Sequence, residues 1–102
     1  MELTREDSGA DRSVHVGEEI QLRLPENPTT GYRWQAEVDS TVLRQTDDRY
    51  EGKVMPRGAG GVRLMRYEAL HPGEATLRLA KRRSGTDQVI DEFFVRLNVL
   101  PQ

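Results

Sequence analysis

Residues 20–38 read Ile20-Gln21-Leu22-Arg23-Leu24-Pro25-Glu26-Asn27-Pro28-Thr29-Thr30-Gly31-Tyr32-Arg33-Trp34-Gln35-Ala36-Glu37-Val38. Ile20, Leu22 and Leu24 alternate with Gln21 and Arg23, the period-two pattern of a half-buried strand, which Pro25 is expected to end. Tyr32, Trp34, Ala36 and Val38 then share one face, with Arg33, Gln35 and Glu37 on the other, so a second strand follows. Between them Pro28 fixes its own φ and pushes Asn27 towards extended backbone. Thr29 and Thr30 are β-branched and have few open rotamers. Gly31 permits the positive φ that lets the chain enter the next strand. Residues 27–31 are therefore a stiff turn between two strands, and a stiff loop loses little entropy when it docks. A well-formed turn with no partner is the alternative reading.

Working outward, the same alternation recurs. Val14 and Val16 alternate with polar neighbours until Gly17. Met65, Tyr67 and Ala69 share a face, with Arg63, Arg66 and Glu68 read as polar and Leu64 and Leu70 blurring the pattern. His71-Pro72-Gly73-Glu74 is a turn. Ala75, Leu77 and Leu79 form another strand. Lys81 to Asp87 reads as a charged loop. Phe93, Val95, Leu97 and Val99 close the chain before Pro101. Met1 to Arg12 is charged and aperiodic, so fraying is expected. Ser40 to Pro56 is the hardest stretch, with Asp47-Asp48-Arg49 read as a solvated turn. No 3.6-residue apolar stripe appears. Short alternating strands separated by turns point to an all-β fold, an immunoglobulin-like antiparallel β-sandwich of seven or eight strands. Trp34 resembles the buried tryptophan of such sandwiches.

A chain of 102 residues is one domain, 1–102, with room for a single core. Its 15 basic and 17 acidic residues give a net charge of -2, which exerts no general pull on nucleic acid or membrane. No apolar run approaches the ~20 residues of a membrane span. There are no cysteines, so disulfides, thiolate nucleophiles and Cys-ligated zinc are excluded. His15 and His71 are the only imidazoles, and neither accompanies a serine in an elbow motif. Asp47-Asp48 and Asp91-Glu92 lack calcium-loop spacing, and neighbouring carboxylates in a strand point to opposite faces. The sequence therefore carries no catalytic set, no metal site and no cofactor site.

Two further segments invite a functional reading. Gly58-Ala59-Gly60-Gly61 lacks the lysine and hydroxyl residue of a P-loop. It is either a plain connector or a backbone bare enough to lie along a groove and exchange main-chain hydrogen bonds there. Lys81-Arg82-Arg83, near Arg78, is the most basic patch, but it has no aromatic stacking platform for single-stranded nucleic acid.

Asn27-Pro28-Thr29-Thr30-Gly31 followed by the aromatic Tyr32 resembles the signature loop of the chagasin-type inhibitors of papain-family cysteine peptidases. Gly58-Ala59-Gly60-Gly61 is similar to that family's second, glycine-rich loop. The third loop of the family usually reads Arg-Pro-Trp, whereas Arg83-Ser84-Gly85 keeps only the arginine. The resemblance spans nearly the whole chain in length and strand order. It implies an immunoglobulin-like sandwich that inhibits a papain-like cysteine peptidase reversibly and without covalent chemistry, using three loops. Residues 27–32 would occupy the cleft, 58–61 one side, and 83–85 the other. It implies no cofactor and no nucleic-acid or membrane partner, and a monomer is expected. The lost proline and tryptophan remove rigidity and an aromatic anchor from the third loop. The competing reading is an immunoglobulin-like adhesion or scaffold domain whose tight turn is only structural. The first twelve residues contain no hydrophobic signal core. The expectation is a cytoplasmic protein, or an exported one whose leader has been removed.

Overall fold

The computed structural model describes residues 1–38, 40–52, 60–83 and 85–102. Its strands are β1 (Glu2–Thr4), β2 (Asp11–His15), β3 (Glu19–Glu26), β4 (Tyr32–Glu37), β5 (Leu43–Gly52), β6 (Gly61–Ala69), β7 (Gly73–Arg83) and β8 (Val89–Leu100). They form two four-stranded sheets, ordered β1-β3-β6-β5 and β2-β8-β7-β4. Single 3-10 turns lie at Arg5–Asp7 and Pro28–Thr30.

The alternation read from the sequence places the core. Ile20, Leu22, Leu24, Met65 and Tyr67 from the first sheet face Trp34, Leu77, Leu79, Phe93, Val95 and Leu97 from the second, and all are buried. Each large apolar side chain removed from water contributes roughly 1.5–3 kcal/mol. Without disulfides, this layer is what holds the sheets together. Leu64 has the opposite parity and is also fully buried. It is flanked in register by Arg23 and Arg49, whose guanidinium groups both reach Glu51. Their aliphatic stems are placed to cover it on the outer face.

Several expectations are corrected. Met1 to Arg12 does not fray. Leu3 is buried, β1 pairs in parallel with β3, and β2 pairs in parallel with β8. The N-terminal segment thus serves first one sheet and then the other, crossing between them at Arg5–Asp7. That turn is pinned where the Thr4 backbone N–H donates to Asp7 Oδ2 at 2.8 Å and Arg5 pairs with Asp91 at 2.7 Å. A single buried residue in a polar run gives no periodicity, so its anchoring was not readable. The sheets are accordingly antiparallel except at these two edges. Pro25 does not end β3, which continues to Glu26, because Pro25 needs no ladder donor where it pairs with Val62 near the strand's end. Asp47-Asp48-Arg49 is not a turn. It lies within β5, an edge strand with a bulge between Gln45 and Asp47, and a solvated edge accepts charge that a central strand would not. Nor is Lys81–Arg83 loop, since β7 extends through Arg83 paired with β4.

Candidate functional site

The turn at residues 27–31 is braced almost wholly from within. Asn27 Oδ1 accepts from the Thr29 backbone N–H at 3.1 Å and from Thr29 Oγ1 at 2.7 Å. Thr30 Oγ1 donates to the Asn27 carbonyl at 2.7 Å and accepts from the Tyr32 N–H at 3.3 Å. The Thr30 and Gly31 N–H groups close back on the Asn27 and Pro28 carbonyls. Gly31 sits at φ +79°, in the left-handed region. Pro28, Thr29, Thr30 and Gly31 are nonetheless exposed. Both threonine hydroxyls are engaged inside the loop, so a rigid tip of methyl groups and backbone is offered to solvent.

The base of this loop is a buried polar brace. Glu26, the residue before the loop, is 3% exposed, and Arg63 on β6 is 8% exposed. Glu26 Oε2 accepts from Arg63 Nη2 at 2.7 Å and Nε at 3.0 Å. Glu26 Oε1 accepts from the Trp34 backbone N–H at 2.7 Å, and Arg63 Nη1 reaches Asp48 at 3.3 Å. Burial by itself would lower the Arg63 pKa. The hydrogen bonds and charge of Glu26, helped by Asp48, outweigh it and hold the guanidinium above its usual value. Trp34 Nε1 adds a bond to the Pro25 carbonyl at 2.9 Å, and Lys81 Nζ lies 5.6 Å from the Trp34 ring. Entry to the loop, exit from it and the start of β6 are thus tied to one carboxylate.

The other candidate segments meet this loop. Gly60, at φ +72°, lies so close to the turn that a Cβ there would stand 3.1 Å from Asn27 Cβ. Gly61 opens β6 opposite Glu26, and a Cβ on it would collide with the Glu51 carbonyl. Gly58 and Ala59 lie outside the described residues. On the opposite side a Cβ on Gly31 would be 3.7 Å from Arg83 Nε. Arg83 pairs in register with Tyr32, which is half-buried at the loop's base. Beyond it Thr86 N and Oγ1 both donate to the Arg83 carbonyl at 3.2 Å, and Gly85 sits at φ +80°. Ser84 lies outside the described residues. The turn at 27–31 therefore stands in the middle, with Gly60–Gly61 against one flank and Arg83 against the other. A shallow concavity of about 460 Å³ lies beside it, lined in part by Pro28, Tyr32, Arg33 and Tyr50.

Sequence reasoning missed Glu26 and Arg63. Both carried a signal, since Glu26 continues the inward parity of Ile20, Leu22 and Leu24, and Arg63 shares that of Met65 and Tyr67. His15 and His71, set aside as catalytic candidates, are exposed. Among the described residues no group of acidic, histidine or cysteine side chains could hold a metal.

Comparison with known proteins agrees with this arrangement. Chagasin from Trypanosoma cruzi is 47% identical over 32 residues, 31% of this chain, and the match spans 29% of that protein's length. The cysteine protease inhibitor EhICP2 from Entamoeba histolytica superposes with a TM-score of 0.88 at 21% identity, covering 97% of this chain and 94% of that one. PbICP-C, in its complex with falcipain-2, superposes with a TM-score of 0.68 at 16% identity over 91% of each chain. These two establish a common fold. The family model described as chagasin family peptidase inhibitor I42 matches residues 13–99. An eight-stranded sandwich with an internally braced Asn-Pro-Thr-Thr-Gly turn at its tip, matched over most of its length by that model, belongs to the chagasin family of peptidase inhibitors.

Proposed function

We propose that this chain is a reversible, non-covalent inhibitor of papain-family cysteine peptidases and that it acts as a three-part wedge. The observation that carries this reading is the order of contacts at one end of the sandwich. Gly60 lies against Asn27, and Arg83 lies against Gly31, so the rigid turn is central and flanked on both sides. A cleft that binds extended peptide is long and narrow. Thr29, Thr30 and Gly31 suit its middle, over the catalytic cysteine. The bare backbone around Gly60 and Gly61 suits one wall, and Arg83 the rim of the other.

Inhibition would be steric. The turn is closed by its own hydrogen bonds and presents no extended peptide bond in attack geometry to the nucleophile. Because the loop is ordered before contact, binding forfeits little conformational entropy. The family's inhibitor character, and the complex of a fold neighbour with falcipain-2, support a papain-like enzyme as target. The test is hydrolysis of a fluorogenic peptide by papain and several cathepsins in the presence of the protein. Inhibition at or below micromolar concentration, relieved on dilution, is expected. Failure against every enzyme of the panel would leave the adhesion or scaffold reading in its place.

A further inference from the structure

The basic side chains of this protein fall into two groups. Arg5, Arg12, Arg23, Arg44, Arg49, Arg63, Arg66 and Arg96 each lie within 4.0 Å of a carboxylate. Among the described residues the remaining cations form no ion pair, and all of them lie on the paired strands β4 and β7. Two of these are otherwise engaged. Lys81 sits over Trp34 and donates to the Pro25 carbonyl, and Arg78 stacks 5.9 Å from the Phe94 ring. Arg33, Arg82 and Arg83 are left.

Arg33 and Arg82 stand directly opposite each other in the β4–β7 register. Their side chains therefore share one face, with Cβ atoms about 4.5–5.5 Å apart, where like charges destabilise a sheet. The Nε of Arg82 is buried and donates to no acceptor, a further cost. The chain carries more acid than base, yet among the described residues neither Arg33 nor Arg82 pairs with a carboxylate. The pair lies one step below Tyr32 and Arg83, next to the flank where Arg83 meets Gly31. Arg33 also lines the concavity beside the loop.

We infer that Arg33 and Arg82, on the sheet face opposite Tyr32 and Arg83, form an electrostatic recognition face for carboxylates on the rim of the target peptidase, on the third-loop side of its cleft. This rests on the inhibitor reading and adds to it a preference among peptidases, for those whose rim is acidic there. A complementary field acts mainly on the encounter rate and on choice of partner. The face also supplies a contact on the flank where the third loop lacks its proline and tryptophan.

The test is the association rate constant with an inhibited papain-like peptidase of acidic rim, measured by stopped flow between about 0.02 and about 1 M NaCl. Over that range the Debye length shrinks to about 3 Å. The variants are Arg33→Gln/Arg82→Gln and the charge-preserving Arg33→Lys/Arg82→Lys. The glutamine pair should slow association about tenfold at low salt, leave dissociation within about twofold, and converge with the parent at high salt. Its Tm should stay equal or rise, because a repulsion has been removed, and the lysine pair should keep most of the rate. Unchanged association, or a lowered Tm with unchanged association, would overturn the inference while inhibition itself persists. So would salt-sensitive binding to single-stranded DNA that these residues control with no effect on the peptidase. A parent protein that inhibits no peptidase overturns the inhibitor reading, and this inference with it.

Discussion

Replacing Glu26 with alanine removes the carboxylate to which loop entry, loop exit and β6 are all tied. Three hydrogen bonds of 2.7–3.0 Å disappear, two from Arg63 and one from the Trp34 N–H. Arg63 stays 8% exposed, with Asp48 at 3.3 Å as its remaining acidic partner. Breaking a buried ion pair from one side costs about 3–5 kcal/mol, a large part of the roughly 5–15 kcal/mol that holds a domain of this size together. The Tm should fall by about 15–30 °C. The double variant Glu26→Gln/Arg63→Met behaves differently. The glutamine carbonyl can still accept from Trp34 N–H, no buried charge remains, and Asp48, with a side chain 42% exposed, is rehydrated. Its loss should be about 1–2 kcal/mol, and a cycle with the two single variants should show coupling of about 2–3 kcal/mol. Urea unfolding followed by Trp34 fluorescence measures all five proteins: the parent, Glu26→Ala, Glu26→Gln, Arg63→Met and the double variant. If Glu26→Ala costs under about 1 kcal/mol, or the two single changes simply add, the brace does not hold the loop and the reasoning fails.

At the loop tip, Thr29→Arg or Thr30→Trp should weaken inhibition at least about a hundredfold while moving Tm by only a few degrees, since these exposed side chains pack against no core. The comparison needs only inhibition titrations and thermal melts. Gly61→Ala acts the other way round. Its Cβ would meet the Glu51 carbonyl, so β5 and β6 must separate locally, with a loss of about 1–3 kcal/mol read from the urea midpoint. Tyr67 governs an alkaline limb. Its phenol is fully buried, with the hydroxyl 3.3 Å from Met65 Sδ, and burial first, then the Asp48 charge, pushes its pKa well above the ordinary 10.0. A folded-state value that is raised gives stability that is whole below the ordinary value and is lost as pH climbs above it. The parent should therefore lose about 1.4 kcal/mol more per pH unit than Tyr67→Phe above about pH 10. The two should agree within about 1 kcal/mol at neutral pH, and parallel alkaline limbs would refute the assignment.

Much of the molecule was legible because one face of each strand is buried and the side-chain period is two. Residues 20–24, 32–38, 75–79 and 93–99 show their parity without ambiguity, and parity there is the same thing as burial. The signature turn was legible for a related reason. The local conformation of Asn27 to Gly31 is set largely by its own residues, through an asparagine side chain, a fixed proline φ and a glycine. Where the reading failed, the deciding contact came from far along the chain. Leu3 is held by β3, nineteen residues on at Leu22, and Asp47–Arg49 are held straight by Arg66, Met65 and Leu64 of β6. Charged residues in a strand look like a turn until the neighbouring strand is known to accept them at a solvated edge.

The same division runs through the site. Local chemistry along the chain was enough to specify a stiff, threonine-bearing tip, a bare glycine segment and a lone arginine, and enough to exclude catalysis by thiolate. That the tip stands between Gly60–Gly61 and Arg83 depends on Glu26 meeting Gly61 and Tyr32 meeting Arg83 across strand pairs. So does the meeting of Glu26 with Arg63, and of Arg33 with Arg82. Each of those encounters joins residues that no local period relates, because a register between strands is set by how whole faces pack, and packing is a property of the assembled sandwich.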